Sequence, residues 1–413
     1  VTHPINHAAP AALLKRPRLL RLLEVMNGDG EETRIVGGAV RNALLDRPVT
    51  EVDLATTASP AVVDERARRA GLKTIPTGID HGTITVIVEG ETFEVTTLRE
   101  DVETDGRRAV VHFGRDFAAD ALRRDFTINA LFLDRDGRIH DYTDGVEDLA
   151  ERQVRFIGDA HARIREDYLR ILRFFRFYAE YAEAEPDAEG LAAAGAERAG
   201  LAILSRERIR HELMKILMAR RSVETIRILA EHGFLTWLLG GAAEFGRFER
   251  VVAERNTGPV SRLSALAVMV PDDADRLRER LRLSNDEHRQ MADYGDVLGV
   301  LRTGQGPLDA VAVRRLVAEH GIKTLALALT ALAGEPLPIL HDDAKTAFRN
   351  YRNGVEPVPV FPLRGADFME KGVPPGPRIG RLLAQARQVW LDSGCPTDSA
   401  ATQSLLERMV AKL

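Results

Sequence analysis

Cysteine occurs once in the 413 residues, at Cys395, which excludes an intrachain disulfide framework and a cysteine-built zinc site. No apolar run approaches membrane-spanning length. Residues 1–10 are polar and lack the hydrophobic stretch of a secretory signal, so a cytoplasmic protein is expected. Basic excess is missing too: 57 Lys and Arg against 62 Asp and Glu leave a net charge of −5, so any nucleic-acid contact must rest on a local basic face. His341-Asp342 has no companion His/Asp set at the spacing of a metal phosphohydrolase. What is there is a 45% hydrophobic share, enough for a proper core, and a length that suits two to four domains. Arginine far outnumbers lysine and clusters in the second half.

The stretch 34–58, RIVGGAVRNALLDRPVTEVDLATTA, organises the rest. A short apolar run, Ile35-Val36, stops at Gly37 and Gly38, and a helical pattern follows from Ala39 to Leu45. Paired glycines before a helix let a triphosphate approach backbone N–H groups at the positive helix end, and Arg41, one turn in, is placed to clamp that anion. Glu51 and Asp53 then share one face of a second strand, because side chains i and i+2 point the same way, while Val52 turns inward. Two carboxylates on one face suit a divalent metal. A plain turn and a solvated edge are the structural alternatives; the order of the pieces favours a nucleotidyl-transfer centre.

This order resembles the active-site signature of the tRNA nucleotidyltransferase and bacterial poly(A) polymerase family, Gly-Gly-x-Val-Arg followed by Asp-x-Asp. Glu51 stands where that family usually shows Asp. The resemblance implies an α+β fold: a polymerase beta-like, mixed-sheet nucleotidyltransferase head, then an all-α neck, body and tail. The expected divisions are a catalytic head over 1–155, a base-recognition neck over 156–235, an RNA-binding body over 236–350 and a tRNA-binding tail over 351–413.

Along the chain, residues 11–27 predict a helix, with Gly28 as its stop. Ser59 caps a second helix with Pro60 at its first position, ending at Gly71. Two β-rich runs, 83–89 and 92–97, flank Glu89-Gly90-Glu91 as a hairpin. The expected head is thus a small sheet with helices on one side. Glu94, between Phe93 and Val95, faces away from the core; it reads as an exposed strand glutamate by itself, and the resemblance makes it a third acidic residue. The charged, aperiodic segment 99–117, with a turn at Asp105–Arg108, corresponds to the loop that such enzymes need for the final adenosine.

In RRDFTINAL, Arg123 and Arg124 suit phosphate oxygens, while Asp125 and Asn129, i and i+4 if helical, suit a ribose; Asp125 as a helix cap is the alternative. The nine residues match the family's second motif. If 159–178 is helical, Asp167, Arg170, Arg173 and Arg176 form one polar stripe, either a solvated face or a reader of bases. A carboxylate accepts and a guanidinium donates. Asp167 with Arg170 therefore fits the amino-plus-acceptor edge of cytosine or adenine and rejects uracil and guanine, as the family's Glu-Asp-x-x-Arg motif implies.

The expected activity is addition of cytidine, cytidine and adenosine to tRNA 3′ ends from CTP and ATP, with Glu51, Asp53 and Glu94 holding two Mg²⁺ ions. Gly37, Gly38 and Arg41 would take the triphosphate, with Arg173 and Arg176 orienting the base readers or meeting phosphate. A poly(A) polymerase and a catalytically weak tRNA-binding homologue, the latter because of Glu51, are the alternatives. The segment 76–86, PTGIDHGTITV, lacks the Arg-Arg-Phe run expected of the former.

Overall fold

Buried on all four residues, Thr33–Val36 forms strand β1, and Gly37 ends it with φ 70° and ψ −121°, a conformation that a side chain resists. The Gly37 N–H donates to the Leu131 carbonyl at 2.9 Å, which turns the chain directly into helix α2, Gly38–Leu44. The computed structural model describes residues 4–78, 82–100, 112–304, 306–335 and 339–411. Most of the charged segment after Arg99, including the turn expected at Asp105–Arg108, lies outside them.

By contacts between its residues the chain divides into two units, Val1–Ser205 with Ala219–Arg221, and Arg206–Met218 with Ser222–Leu413. In the first, β2 is Asp53–Thr56, β3 Lys73–Gly78, β4 Thr83–Val88 and β5 Glu91–Thr97; β6 (Arg99–Glu100) and β7 (His112–Phe113) pair separately. β8 is Leu131–Leu133 and β9 Ile139–Asp141. Among the described residues one sheet has seven strands in the order β3-β4-β5-β2-β1-β8-β9. It is larger than the small sheet that the sequence suggests, because β3, β8 and β9 are short or carry Gly and Pro. The expected hairpin is present, with Glu89 and Gly90 at φ 48° and 85°, the left-handed pair of a tight turn whose twist suits its strands.

Among the described strands of this sheet only β2 and β5 pair in parallel, and their register sets Asp53 opposite Glu94. Asp53 also lies opposite Val36 on β1. Val36, Ala55 and Phe132 share a core cluster with Phe117 and Ala121 of helix α4, Phe117–Leu122. Asp53, two residues before Ala55, therefore stands on the α4 side of the sheet and is exposed there.

Helix α3, Pro60–Arg69, begins as its sequence says: the Ser59 hydroxyl accepts from the Val62 N–H at 3.4 Å, with Pro60 in the first turn. The N-terminal helix is shorter than the expected 11–27. A 3₁₀ turn, Pro10–Lys15, gives way at the extended Arg16 to α1, Pro17–Met26. The residue before a proline is pushed out of the helical region, which places the break.

The same kind of correction applies further on. After α5 (Gly145–Ala150), the segment predicted as one helix is two, α6 (Ala160–Glu166) and α7 (Leu169–Tyr181), with Asp167 extended between them at φ −153°. The Asp167 carboxylate accepts from the Leu169 N–H at 3.1 Å, a local bond that competes with helical continuity. Arg170, Arg173 and Arg176 share a stripe of α7; Asp167 is not helical.

Among the described residues the regular elements of the second unit are all helices, apart from an isolated bridge between Leu308 and Leu340. Its last helices close on a core of their own, with Phe368, Trp390 and Met409 fully or almost fully buried.

Candidate active site

Strand alternation buries Phe93 and Val95 and leaves Thr92 and Glu94 outward, so Glu94 stands exposed beside Asp53. Glu51, exposed, lies two residues before β2. The surrounding protein raises the Asp53 carboxyl above its ordinary range, Glu94 and Glu51 raise it further, and only Arg124 opposes them. These three carboxylates therefore share one field. Among the described residues they do not all bring an oxygen within 4.8 Å of one another, whereas Asp293, Asp296 and His320 of the second unit do.

Beside them is the glycine turn. A Cβ on Gly37 would sit 3.4 Å from the Asn129 carbonyl and 4.0 Å from an Arg124 nitrogen, so the turn and Arg124 are close neighbours. Arg124 lies over the Phe132 ring at 5.3 Å. Both Arg123 and Arg124 are held by Asp120, which the sequence did not single out: Arg123 bonds one carboxylate oxygen through Nε and Nη2, and Arg124 bonds the other at 3.1 and 2.9 Å. Asp120 is 1% exposed, and although burial opposes its charge, Arg124 and Arg123 hold its carboxyl below the ordinary range. The signal was present only as an aspartate three and four residues before two arginines, which is common on any helix.

Asp125 and Asn129 are buried, and they join rather than merely face the site. The amide of Asn129 donates to one Asp125 oxygen at 3.1 Å, while Arg173 of α7 donates to the other through Nε at 2.7 Å. On the other side the Asn129 side-chain oxygen, Oδ1, accepts from Arg41. Arg41, buried, also donates to the Tyr181 hydroxyl at 2.7 Å and to Asn42 at 3.1 and 3.2 Å, and its guanidinium lies 4.1 Å from the Tyr181 ring centroid. A continuous bonded path thus runs Tyr181–Arg41–Asn129–Asp125–Arg173, from α7 through the helix after the glycine turn and the RRDFTINAL segment, back to α7. The sequence placed Arg41 on the triphosphate; the structure places its fork in this brace.

Apolar contacts fix the same joint. Phe126 lies 4.8 Å from Phe156, 5.2 Å from Phe177 and 6.3 Å from Phe174, centroid to centroid. The Phe177 ring in turn carries Arg176 at 4.1 Å and both Arg41 and Arg173 at 5.3 Å. Cations over an aromatic face are held there by its quadrupole, more strongly where water is excluded.

Of the two residues expected to read the base, Arg170 lies in the first turn of α7 and Asp167 just before that helix. Arg170, half-buried, donates to the Arg163 carbonyl at 2.9 Å, to Glu166 at 2.5 Å and to the Arg123 carbonyl at 3.3 Å. Its donors thus meet the segment that carries Arg123 and Arg124. Asp167 is half-buried one turn before it. Arg123, Asp125, Arg170 and Arg173 are therefore brought together, and Asp53, Glu94, Arg124 and Gly37 form a second group joined to it through Asp120 and Asn129.

Residues 33–155 match the family described as "Poly A polymerase head domain", and 187–245 match the one described as "Probable RNA and SrmB- binding site of polymerase A". The human protein named CCA tRNA nucleotidyltransferase 1, mitochondrial, is 36% identical over 393 residues, covering 91% of this chain and 86% of its own. The CCA-adding enzyme of Leuconostoc citreum is 32% identical over 374 residues, 88% of this chain and 89% of that one. The crystal structure of the Bacillus stearothermophilus CCA-adding enzyme in complex with CTP superposes with a TM-score of 0.74 at 25% identity, covering 96% of this chain and 98% of that chain. No described helix is long and apolar enough to cross a membrane. With relatives this similar over nearly their whole length, and with the acidic edge, glycine turn and arginine pair assembled on one head, the chain belongs to the CCA tRNA nucleotidyltransferase family.

Proposed function

We propose that this enzyme adds CCA to the 3′ end of tRNA without a template, from CTP and ATP, releasing pyrophosphate. The observation that carries the reading is the register of β2 on β5, which sets Asp53 beside Glu94 next to Arg124 and the Gly37 turn. Three carboxylates against one guanidinium leave a negative field, and an all-oxygen donor set fits a hard divalent cation, here Mg²⁺. Asp53, Glu94 and Glu51 would hold it. When bound there, such ions supply the charge that lowers the pKa of an attacking 3′-hydroxyl and neutralises a departing pyrophosphate.

The protein's own groups do the rest. The Gly37 N–H, expected to meet the triphosphate, is taken by the Leu131 carbonyl, so Gly37 makes the turn and Gly38 offers its backbone N–H to the triphosphate, while Arg123 and Arg124 meet its oxygens with planar forks. Asp125 and Asn129 meet the ribose, held in place by Arg173 and Arg41. Asp167 accepts from the N4 or N6 amino group while Arg170 donates to N3 or N1. Uracil and guanine would set a carbonyl against the carboxylate and lose that pairing. Arg176, over Phe177, steadies the reading helix. The head, neck, body and tail divisions at 155, 235 and 350 are proposed on the same kinship, with tRNA backbone held by arginine-rich faces in a salt-sensitive way. A cytoplasmic location is proposed from the sequence.

The test is incubation with tRNA lacking its 3′ end, Mg²⁺ and single labelled nucleotides. Two cytidines, one adenosine and then arrest support the proposal. A long adenosine ladder assigns a poly(A) polymerase instead, and binding without incorporation assigns a tRNA-binding homologue.

A further inference from the structure

Two adjacent arginines in a nucleotide site repel each other and, unsupported, sample many rotamers. Here a single carboxylate removes both problems. Asp120 is almost fully buried on α4, and each of its oxygens takes a separate guanidinium through two N–H groups. The Arg123 and Arg124 side chains stay 23% and 24% exposed, so their outer edges remain open. Arg124 thereby lies beside the Gly37 turn and in the field of Asp53, over the Phe132 ring. The Arg123 carbonyl meanwhile accepts from Arg170, tying the pair to the base-reading helix.

We propose that Asp120 is the positioning residue for the triphosphate: it sets Arg123 and Arg124 as a rigid, net positive platform before a nucleotide arrives. This rests on the nucleotidyltransferase reading above and names the residue through which its phosphate arginines act. Donors fixed beforehand bind without a further ordering cost, whereas arginines that must be gathered on binding lose affinity. The loss is expected to fall on phosphate binding, since the described bonds of Asp120 go to the two guanidiniums.

The experiment compares wild type and Asp120→Asn for equilibrium binding of CTP, CMP and inorganic tripolyphosphate in Mg²⁺. For Asp120→Asn, CTP and tripolyphosphate are expected to weaken about tenfold, each factor of ten being 1.4 kcal/mol, while CMP stays within about twofold. Tripolyphosphate binding unchanged, or CTP and CMP weakened equally, overturns the proposal, the second outcome being that of a merely structural residue. Adding Asp120→Asn to the Arg123→Gln/Arg124→Gln double variant is expected to cause no further loss of tripolyphosphate affinity; full additivity counts against it. Should Asp120→Asn fail to fold, Asp120→Glu, which keeps the charge but displaces both forks, must weaken tripolyphosphate more than CMP. Wild type that binds tripolyphosphate but adds no nucleotide to tRNA would fault the proposed activity and leave the Asp120 comparison intact.

Discussion

Replacing Arg41 by lysine separates two roles for that position, because the charge survives and the fork does not. Arg41 is 6% exposed and its guanidinium reaches Asn129, Tyr181 and Asn42 at once. An ammonium reaches one of these, and losing the partner of a buried acceptor such as the Asn129 oxygen costs about 1–3 kcal/mol. Loss of the planar contact with Tyr181 and Phe177 adds on the order of 1 kcal/mol. Burial already pushes the Arg41 pKa down, with Arg176 adding to it and Tyr181 and Asp125 opposing, and a more strongly hydrated ammonium tolerates that site less. The sum is about 3 kcal/mol, or roughly 6–12 °C in the melting temperature of a unit of some 200 residues. The assay is thermal and urea unfolding of Arg41→Lys, followed by KM for CTP at a temperature where the variant is folded. Stability unchanged within about 0.5 kcal/mol, a surface-like effect, together with a KM raised tenfold or more would refute the brace and return Arg41 to the triphosphate.

Asp53→Asn should lower nucleotide incorporation by about 10³-fold, several kcal/mol of lost transition-state charge stabilisation, with unit stability unchanged or slightly raised because a repelled carboxylate is removed. Chelation by EDTA should stop the wild type, and added Mg²⁺ should restore it. Asp125, its charge opposed by burial but held below the ordinary carboxylate value of 3.8 first by Arg173 and then by Asn129, stabilises the first unit above that pH and loses the contribution as pH falls through its depressed folded value. Asp125→Asn should therefore lower urea stability at pH 7 by about 3 kcal/mol, a gap that narrows below pH 4. Equal gaps at pH 7 and pH 3 would contradict the ion pair. In the second unit the Tyr294 hydroxyl is buried with no hydrogen-bond partner among the described residues, and burial pushes its pKa up to about 12. Stability should fall as pH rises from 10 towards 12, read by tyrosinate absorbance, and Tyr294→Phe should stabilise that unit by about 1 kcal/mol.

The segments of the candidate site were readable because their chemistry is local. A glycine pair, two carboxylates one residue apart and an Arg-Arg-Asp run each act over less than a turn of chain, and strand alternation alone turned Glu94 outward. The Ser59–Pro60 helix start and the Glu89-Gly90 hairpin were equally plain, since caps and left-handed turns are properties of one or two residues. Helix continuity was not: Asp167 and the residue before Pro17 break helices that apolar periodicity draws straight through.

The residues of the acidic edge, Arg123 and Arg124, and Asp167 with Arg170 were named by sequence order, yet their partners were not. Asp53 meets Glu94 only because β2 and β5 run in parallel, a pairing between segments about forty residues apart that no local pattern encodes. Arg41 looked free to bind an anion one turn into its helix, and tertiary packing instead closed Tyr181, 140 residues away, over it. Asp120 and Tyr181 acquire meaning only when α4 is folded against the sheet and α7 against α2 and the RRDFTINAL segment. Sequence settles which groups are near along a strand or a helix turn; which distant groups share a buried site depends on where the core forces the chain to return.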